Sequence, residues 1–371
     1  MALNFKKFSK ENETREPLFH VVKRAAMPFW QSMAIRAGAV LVAFLVCTLL
    51  SSLLIGKTPM EFLSTFFNGI LGSPRRIWNL AKDGAKLLAI SIAVTPAFRM
   101  RFWNIGAEGQ TLMGALGAVA VIFYLGGDIP NALLLVLMLV AAVLAGAVWG
   151  AIPAIFKAKW ETNETLFTLM MNYVAIGLVE FMLKIWVSDG SGTLGELKFG
   201  HLPQVGHKYL LLILCVLIIT VVSYIYLNYT KQGYEISVVG ESENTARYIG
   251  INVSKVIIRT MIVSGALCGL AGFLTVGALD HSVTAETVGG LGFTAIMASW
   301  LAKFNPLIMI GTSLFITLLG QGASSISDTF RIDSSFPDMV VGIVLFFIIG
   351  CEFFINYQLK FRESEKKGEK A

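Results

Sequence analysis

The stretch Asn104-Ile105-Gly106-Ala107-Glu108-Gly109-Gln110, running on to Gly114 and Gly117, decides how the rest of the chain is read. It puts an amide, a carboxylate and a second amide among glycines, inside a chain of 371 residues that is 55% hydrophobic and 15% charged. Soluble domains carry about 25% charged residues, so this composition describes an integral membrane protein. An ionisable side chain at membrane depth is costly and faces protein or a polar cavity, which makes Glu108 a candidate functional residue. A second reading stands beside it: Asn104 caps a helix whose positive N-terminus Glu108 complements.

Gly106 and Gly117 lie eleven residues apart, about 20° around an ideal helix. Gly109 and Gly114 fall near the same line, so Asn104, Gly106, Gly109, Gly114 and Gly117 read as a structural motif with a small-residue face for close helix packing. Glu108 points roughly to the other side. After Arg99 and Arg101, which mark a cytoplasmic turn, this helix is expected to run over 104–125.

A membrane helix needs about 20 mostly apolar residues, and 34–55, 132–156, 210–227 and 339–355 supply the plainest runs. Further helices are predicted over 83–98, from about 161, up to about 303, and over 306–324. The expected fold class is all-α, a polytopic membrane protein with about ten transmembrane helices and both termini cytoplasmic. Its parts are a cytoplasmic tail over 1–31, a transmembrane domain over 32–358 containing a cytoplasmic loop at 230–258, and a basic tail over 359–371. Segment 59–76 is too short to span and reads as interfacial, with Phe62, Phe66, Phe67 and Ile70 on one face. The N-terminal segment lacks the apolar core and cleavage site of a secretory signal, so the first helix is expected to be retained.

The net charge of +6 sits largely in tails and short loops, where it sets orientation in the lipid rather than nucleic-acid binding. Lys57, Arg75, Arg76, Lys82 and Lys86 fall on the outer side in this topology, against the usual bias. Cys47, Cys215, Cys268 and Cys351 stand singly in apolar runs, without metal-ligand or disulfide spacing.

No His-Glu-x-x-His or Gly-x-Ser-x-Gly motif occurs, so no membrane-embedded hydrolase is suggested. Gly56-Lys57-Thr58 imitates the end of a phosphate-binding loop, but Ser51 occupies its first glycine position and no strand precedes it. A secondary transporter calls for coupling groups near the midplane, and Glu108, Asp280 and Glu286 are thin candidates. Segment 231–259 is a long polar interruption. Within it Ser242 can cap a helix over 243–249, Gly250 can end it and Ser254 can cap the next. A two-turn helix is marginal alone, so it calls for a partner; a merely solvated loop is the other reading. Asn172 stands alone in an apolar run, as an interhelical hydrogen-bond partner or a ligand contact. Gly289, Gly290 and Gly292 break a helix where broken backbone must be buried in protein or line a cavity. His201 and His207 on a loop carry little information.

Residues 98–117, Phe-Arg-Met-Arg-Phe-Trp-Asn-Ile-Gly-Ala-Glu-Gly-Gln-Thr-Leu-Met-Gly-Ala-Leu-Gly, resemble the signature of permease subunits of ABC importers for ribose-like sugars and nucleosides. Segments 163–173, 240–251 and 289–296 look like the corresponding segments of the nucleoside branch. Residues 298–303 depart from that pattern around Trp300, where smaller apolar residues are expected. The resemblance implies a permease without its own nucleotide site or other cofactor, with ATP and Mg held by a cytoplasmic ABC ATPase. It further implies a second, related permease in a heterodimer, an extracellular solute-binding lipoprotein, and a place in the bacterial cytoplasmic membrane. Glu243, Ala246, Arg247, Tyr248 and Gly250 would then belong to the helix that couples to the ATPase. Tyr173 and Phe293 would be candidates for stacking a base, Asn172 and Gln321 for bonding ribose hydroxyls, and Glu108 for the pathway. Simple sugars are the alternative cargo, and ion-coupled secondary transport a more distant one.

Overall fold

The structure, a computed structural model, describes residues 19–24, 27–187 and 194–361. Residues 1–18 and 362–371 of the expected tails, and 188–193 of the polar loop, lie outside the described residues. Thirteen α-helices are described: α1 Phe29–Ile55, α2 Pro59–Leu71, α3 Pro74–Arg99, α4 Ala107–Leu125, α5 Asn131–Trp160, α6 Glu164–Trp186, α7 Leu210–Tyr229, α8 Lys231–Glu241, α9 Glu243–Tyr248, α10 Val253–Thr275, α11 Leu291–Leu301, α12 Pro306–Phe330 and α13 Phe336–Asn356. A π-helical turn, Val276–Asp280, extends α10. Strands β1 Phe19–Lys23 and β2 Tyr357–Phe361 pair antiparallel, Phe19 with Phe361 through Lys23 with Tyr357.

The chain forms two compact units, residues 63–338 and residues 1–62 with 339–371. In the smaller one Arg36 on α1 meets Glu352 on α13 at 2.6 Å. The β1–β2 ladder joins the entry of α1 to the exit of α13. Both therefore lie at one end of this unit.

In the larger unit α10 is the central helix, packed on α3, α4 and α5. Small residues make this possible: a Cβ on Gly269 would collide with the Ala142 carbonyl, and one on Gly114 with Gly269. Such contacts let membrane helices approach closely enough for dispersion to hold them. The glycines of the 104–117 segment meet different helices: Gly109 lies against Asn172 and Ala175 of α6, Gly114 against Gly269 of α10, and Gly117 against Ala141 and Ala145 of α5.

Among the described residues, eight helices are long and apolar enough to cross a membrane: α1, α4, α5, α6, α7, α10 with its π-turn, α12 and α13. Two differences separate this number from the expected ten. Helix α3 begins at Pro74, nine residues before the expected start, so its first half carries Arg75, Arg76, Lys82, Asp83 and Lys86, although Leu87 to Phe98 is buried. Helix α11 is only 11 residues long, about 16 Å.

Several local expectations are corrected. Segment 231–241, expected as polar loop, is the helix α8, with Gly233, Ile236, Val239 and Gly240 buried. Asn252, not Ser254, caps α10, accepting the Lys255 N–H at 3.0 Å. Helix α4 starts at Ala107 rather than 104, because Asn104 spends its side chain on Gly106 and Gln110 instead. On α2, Phe66 and Ile70 are buried but Phe67 is half exposed.

Candidate functional site

Two places concentrate polar chemistry. The first is the α8–α9 pair. The Ser242 side chain accepts the Thr245 N–H at 3.3 Å and opens α9, and Gly250 closes the turn with φ +84°, a conformation costly for most residues with a side chain. One face of α9 is spent on the fold: Ala246 is fully buried in a cluster with Met100, Phe102, Ile236, Val239 and Val256. The other faces out. Tyr248 is 92% exposed, and Glu243 and Arg247, one turn apart at 3.5 Å, are both solvated. Around them Glu235 of α8 pairs with Arg259 of α10 at 2.9 Å. Gly240 lies on the Arg99 carbonyl so tightly that a side chain would collide, and Arg99 reaches Asn228 at 3.0 Å. The pair α8–α9 therefore rides on the ends of α3 and α7 and the start of α10. Of the residues expected at a coupling helix, Glu243, Arg247 and Tyr248 are presented outward, while Ala246 and Gly250 shape and seat it. Glu235, Gly240 and Arg259, which anchor the element, escaped the sequence reading because α8 did.

The second place is the start of α4. Asn104 and Gln110 exchange two amide hydrogen bonds, at 3.2 and 3.1 Å. The Asn104 Oδ1 also accepts the Gly106 N–H at 3.0 Å. Asn172 of α6 accepts the Gly109 N–H at 2.9 Å and donates to the Ile105 carbonyl at 2.9 Å. A Cβ on Gly109 would sit 2.9 Å from the Asn172 oxygen. Thr168, one turn earlier, accepts the Ile105 N–H at 3.2 Å. The non-helical entry to α4 is thus hydrogen-bonded by side chains of α6, as buried backbone requires.

Glu108 follows in the first turn of α4. Its two oxygens accept the N–H groups of Gly290 at 2.8 Å and Gly292 at 2.7 Å. Gly289 and Gly290 hold φ +61° and +78°, turning the chain so that the free N–H groups at the start of α11 point at the carboxylate. An anion at a helix N-terminus is favourable. The far end of α11 lies by the Arg99 end of α3, where Phe304 stacks on Phe98 at 6.0 Å and Trp300 meets Trp103 at 5.6 Å. Glu108 consequently sits about 16 Å from that end, the length of α11. Beyond it Lys86 donates to the Thr287 carbonyl at 2.8 Å and pairs with Asp280 at 3.7 Å.

The remaining sequence candidates are dispersed. Gln321 on α12 donates to the carbonyls of Gly69 and Arg76, at 3.2 and 3.0 Å. Tyr173 is 64% exposed on the outer face of α6 and Phe293 46% exposed on α11. Neither is brought to Gln321.

Comparison with known proteins assigns the family. The family described as "Branched-chain amino acid transport system / permease component" matches residues 77–349. The guanosine ABC transporter permease NupP of Bacillus subtilis is 28% identical over 82% of this chain and 89% of its own length. The nucleoside ABC transporter permease NupB of Lactococcus lactis is 26% identical over 85% and 92%. The glucose ABC transporter permease TsgB13 of Haloferax volcanii is 27% identical over 85% and 88%. A solved inward-facing structure described as an ABC transporter of metal-chelate type aligns with a TM-score of 0.46 at 14% identity, over 87% of this chain and 99% of that one. The chain is a multi-pass membrane permease subunit and belongs to the branched-chain amino acid transport system permease component family.

Proposed function

We propose that this permease is one half of the membrane pathway of an ATP-driven importer that carries nucleosides inward across the bacterial cytoplasmic membrane by alternating access. The observation that carries the reading is α9, a capped six-residue helix with Ala246 locked into the core and Glu243, Arg247 and Tyr248 presented outward. A helix so short is not stable as a free surface feature; anchored on α3, α7 and α10, it can pass a push or pull from a partner into the membrane helices. The partner in this reading is a cytoplasmic ABC ATPase, which binds ATP and Mg, so this chain is a transport subunit and not itself an enzyme. A second, related permease completes the pathway, and an extracellular solute-binding lipoprotein delivers the cargo.

Nucleosides are favoured over simple sugars because NupP and NupB bear those names at matching coverage. The glucose permease of Haloferax volcanii keeps sugars as the second reading. The test is uptake of radiolabelled guanosine by the reconstituted complex in vesicles. ATP-dependent uptake, outcompeted by other nucleosides and not by glucose, is expected. Gradient-driven uptake by this chain alone would overturn the reading.

A further inference from the structure

Helix α6 has two unlike faces. Thr168, Met171, Asn172, Ala175, Val179 and Leu183 are buried against the chain. The opposite face is open: Tyr173 is 64% exposed, Gly177 has nothing within 4 Å of where a Cβ would sit, and Glu180 is exposed. Tyr173, Gly177 and Glu180 follow at i, i+4 and i+7, one stripe about 10 Å long.

Glu180 does not belong against lipid. At the nearer end of α6 the Trp186 indole N–H donates to the Tyr124 hydroxyl at 3.1 Å and stacks on Phe123 at 5.1 Å, an aromatic cluster of the kind that marks a membrane surface. Glu180 lies six residues deeper, about 9 Å, beyond the reach of its short side chain to that surface. Among the described residues it makes no hydrogen bond or ion pair, not even with Lys184 one turn on. Of the other carboxylates within the candidate spans, Glu108 is held by backbone N–H groups, Glu164 by Lys157 at 2.9 Å, Asp280 by Lys86 at 3.7 Å and Glu352 by Arg36, while Asp328 and Asp338, exposed like Glu180, sit within three residues of a helix end rather than at depth. A charge left free at depth faces a polar cavity.

We propose that the Tyr173–Glu180 stripe of α6 is a water-lined contact site for the transported solute, with Glu180 accepting O–H hydrogen bonds from a polyhydroxylated ring and Tyr173 covering a planar or ring face. This rests on the permease reading, though not on the choice of nucleoside over sugar. An ionised carboxylate offers two acceptor oxygens, which match adjacent hydroxyls, and an exposed phenol presents an apolar face with a polar edge. Open space at Gly177 leaves room between them for a solute of that length.

The test uses the full importer complex in membrane vesicles carrying Glu180→Cys, treated with a negatively charged, membrane-impermeant methanethiosulfonate and read by mass on the peptide holding position 180. Leu144→Cys, on the apolar outer face of α5, is the lipid control. Rapid labelling of position 180, slowed several-fold by saturating guanosine or glucose, supports the site. Labelling as slow as the control, or labelling indifferent to both solutes, overturns it. In parallel Glu180→Gln should raise the KM for uptake by about tenfold or more, the loss expected for a charged hydrogen bond, with the other subunits still co-purifying. Loss of co-purification instead would make Glu180 an ion-pair partner between subunits and overturn the site. Protection by glucose alone keeps the site and sinks the nucleoside reading; ATP-driven guanosine uptake with an unlabelled position 180 does the reverse.

Discussion

Glu108 and Gly292, 184 positions apart in the chain, meet in a hydrogen bond of 2.7 Å from the Gly292 N–H to the carboxylate Oε2. With the Gly290 N–H on the other oxygen, one side chain of α4 satisfies the start of the short helix α11. Hydrogen bonds to a charged group are worth roughly 1.5–3 kcal/mol each. Gly292 is also sterically required, since a Cβ there would lie 2.6 Å from the Glu108 nitrogen. Glu108→Ala and Gly292→Ala are each expected to lower the thermal midpoint in detergent by several degrees. The double variant should lose less than the sum, because both changes break one contact. Additive losses by scanning fluorimetry would refute the coupling.

Asn172 makes a complementary prediction. Its amide serves the Gly109 N–H and the Ile105 carbonyl at once, so Asn172→Leu strands two buried backbone groups at roughly 1–3 kcal/mol each. Lower stability with an unchanged KM in the protein that still folds is the expected outcome. A raised KM at unchanged stability would instead mark the amide as a solute contact.

On α9 the buried and exposed residues should separate cleanly. Arg247→Glu and Tyr248→Ala leave the folded core untouched and are expected to abolish uptake with loss of the co-purified ATPase. Ala246→Leu, at a site with no accessible surface, should destabilise the chain by the 1–3 kcal/mol typical of overpacking. Wild-type uptake by Arg247→Glu would remove α9 from the coupling role.

What the sequence disclosed follows from range. The apolar runs around 34–55, 132–156 and 210–227 announced α1, α5 and α7 because a membrane helix is written in consecutive residues. The Ser242 and Gly250 signals bracketed α9 for the same reason. Helix α8 stayed hidden since Ile236, Val238 and Val239 form too short an apolar run to announce a helix, and the burial of Ile236 and Val239 depends on α3 and α10. Ser254 and Asn252 are both good caps two residues apart, and local chemistry does not choose between them. The holder of Glu108 lay 182 to 184 positions away, which no periodicity reports. Glu180 passed unremarked because a lone carboxylate in an apolar run looks the same whether it is paired or open.

His281, too, gains meaning only from the fold. It closes the π-turn with φ +49°, is 7% exposed, and lies with its ring 3.9 Å from that of His201. Its carbonyl accepts the Leu197 N–H at 2.9 Å, tying the loop to the end of α10. Burial, then the neighbouring His201 and Lys208, hold its pKa below 6.5, against weaker opposite pulls from Glu196 and Asp280. A histidine whose folded value is depressed contributes stability that is fully present above its unfolded value, about 6.5. That contribution is lost as pH falls through 6.5 to the folded value, because the unfolded chain takes up the proton first. The thermal midpoint of the wild type should therefore drop between pH 7.5 and 5 by more than that of His281→Asn, a residue that tolerates the left-handed backbone. Parallel pH profiles for the two proteins would show that the His281 imidazole carries no such linkage.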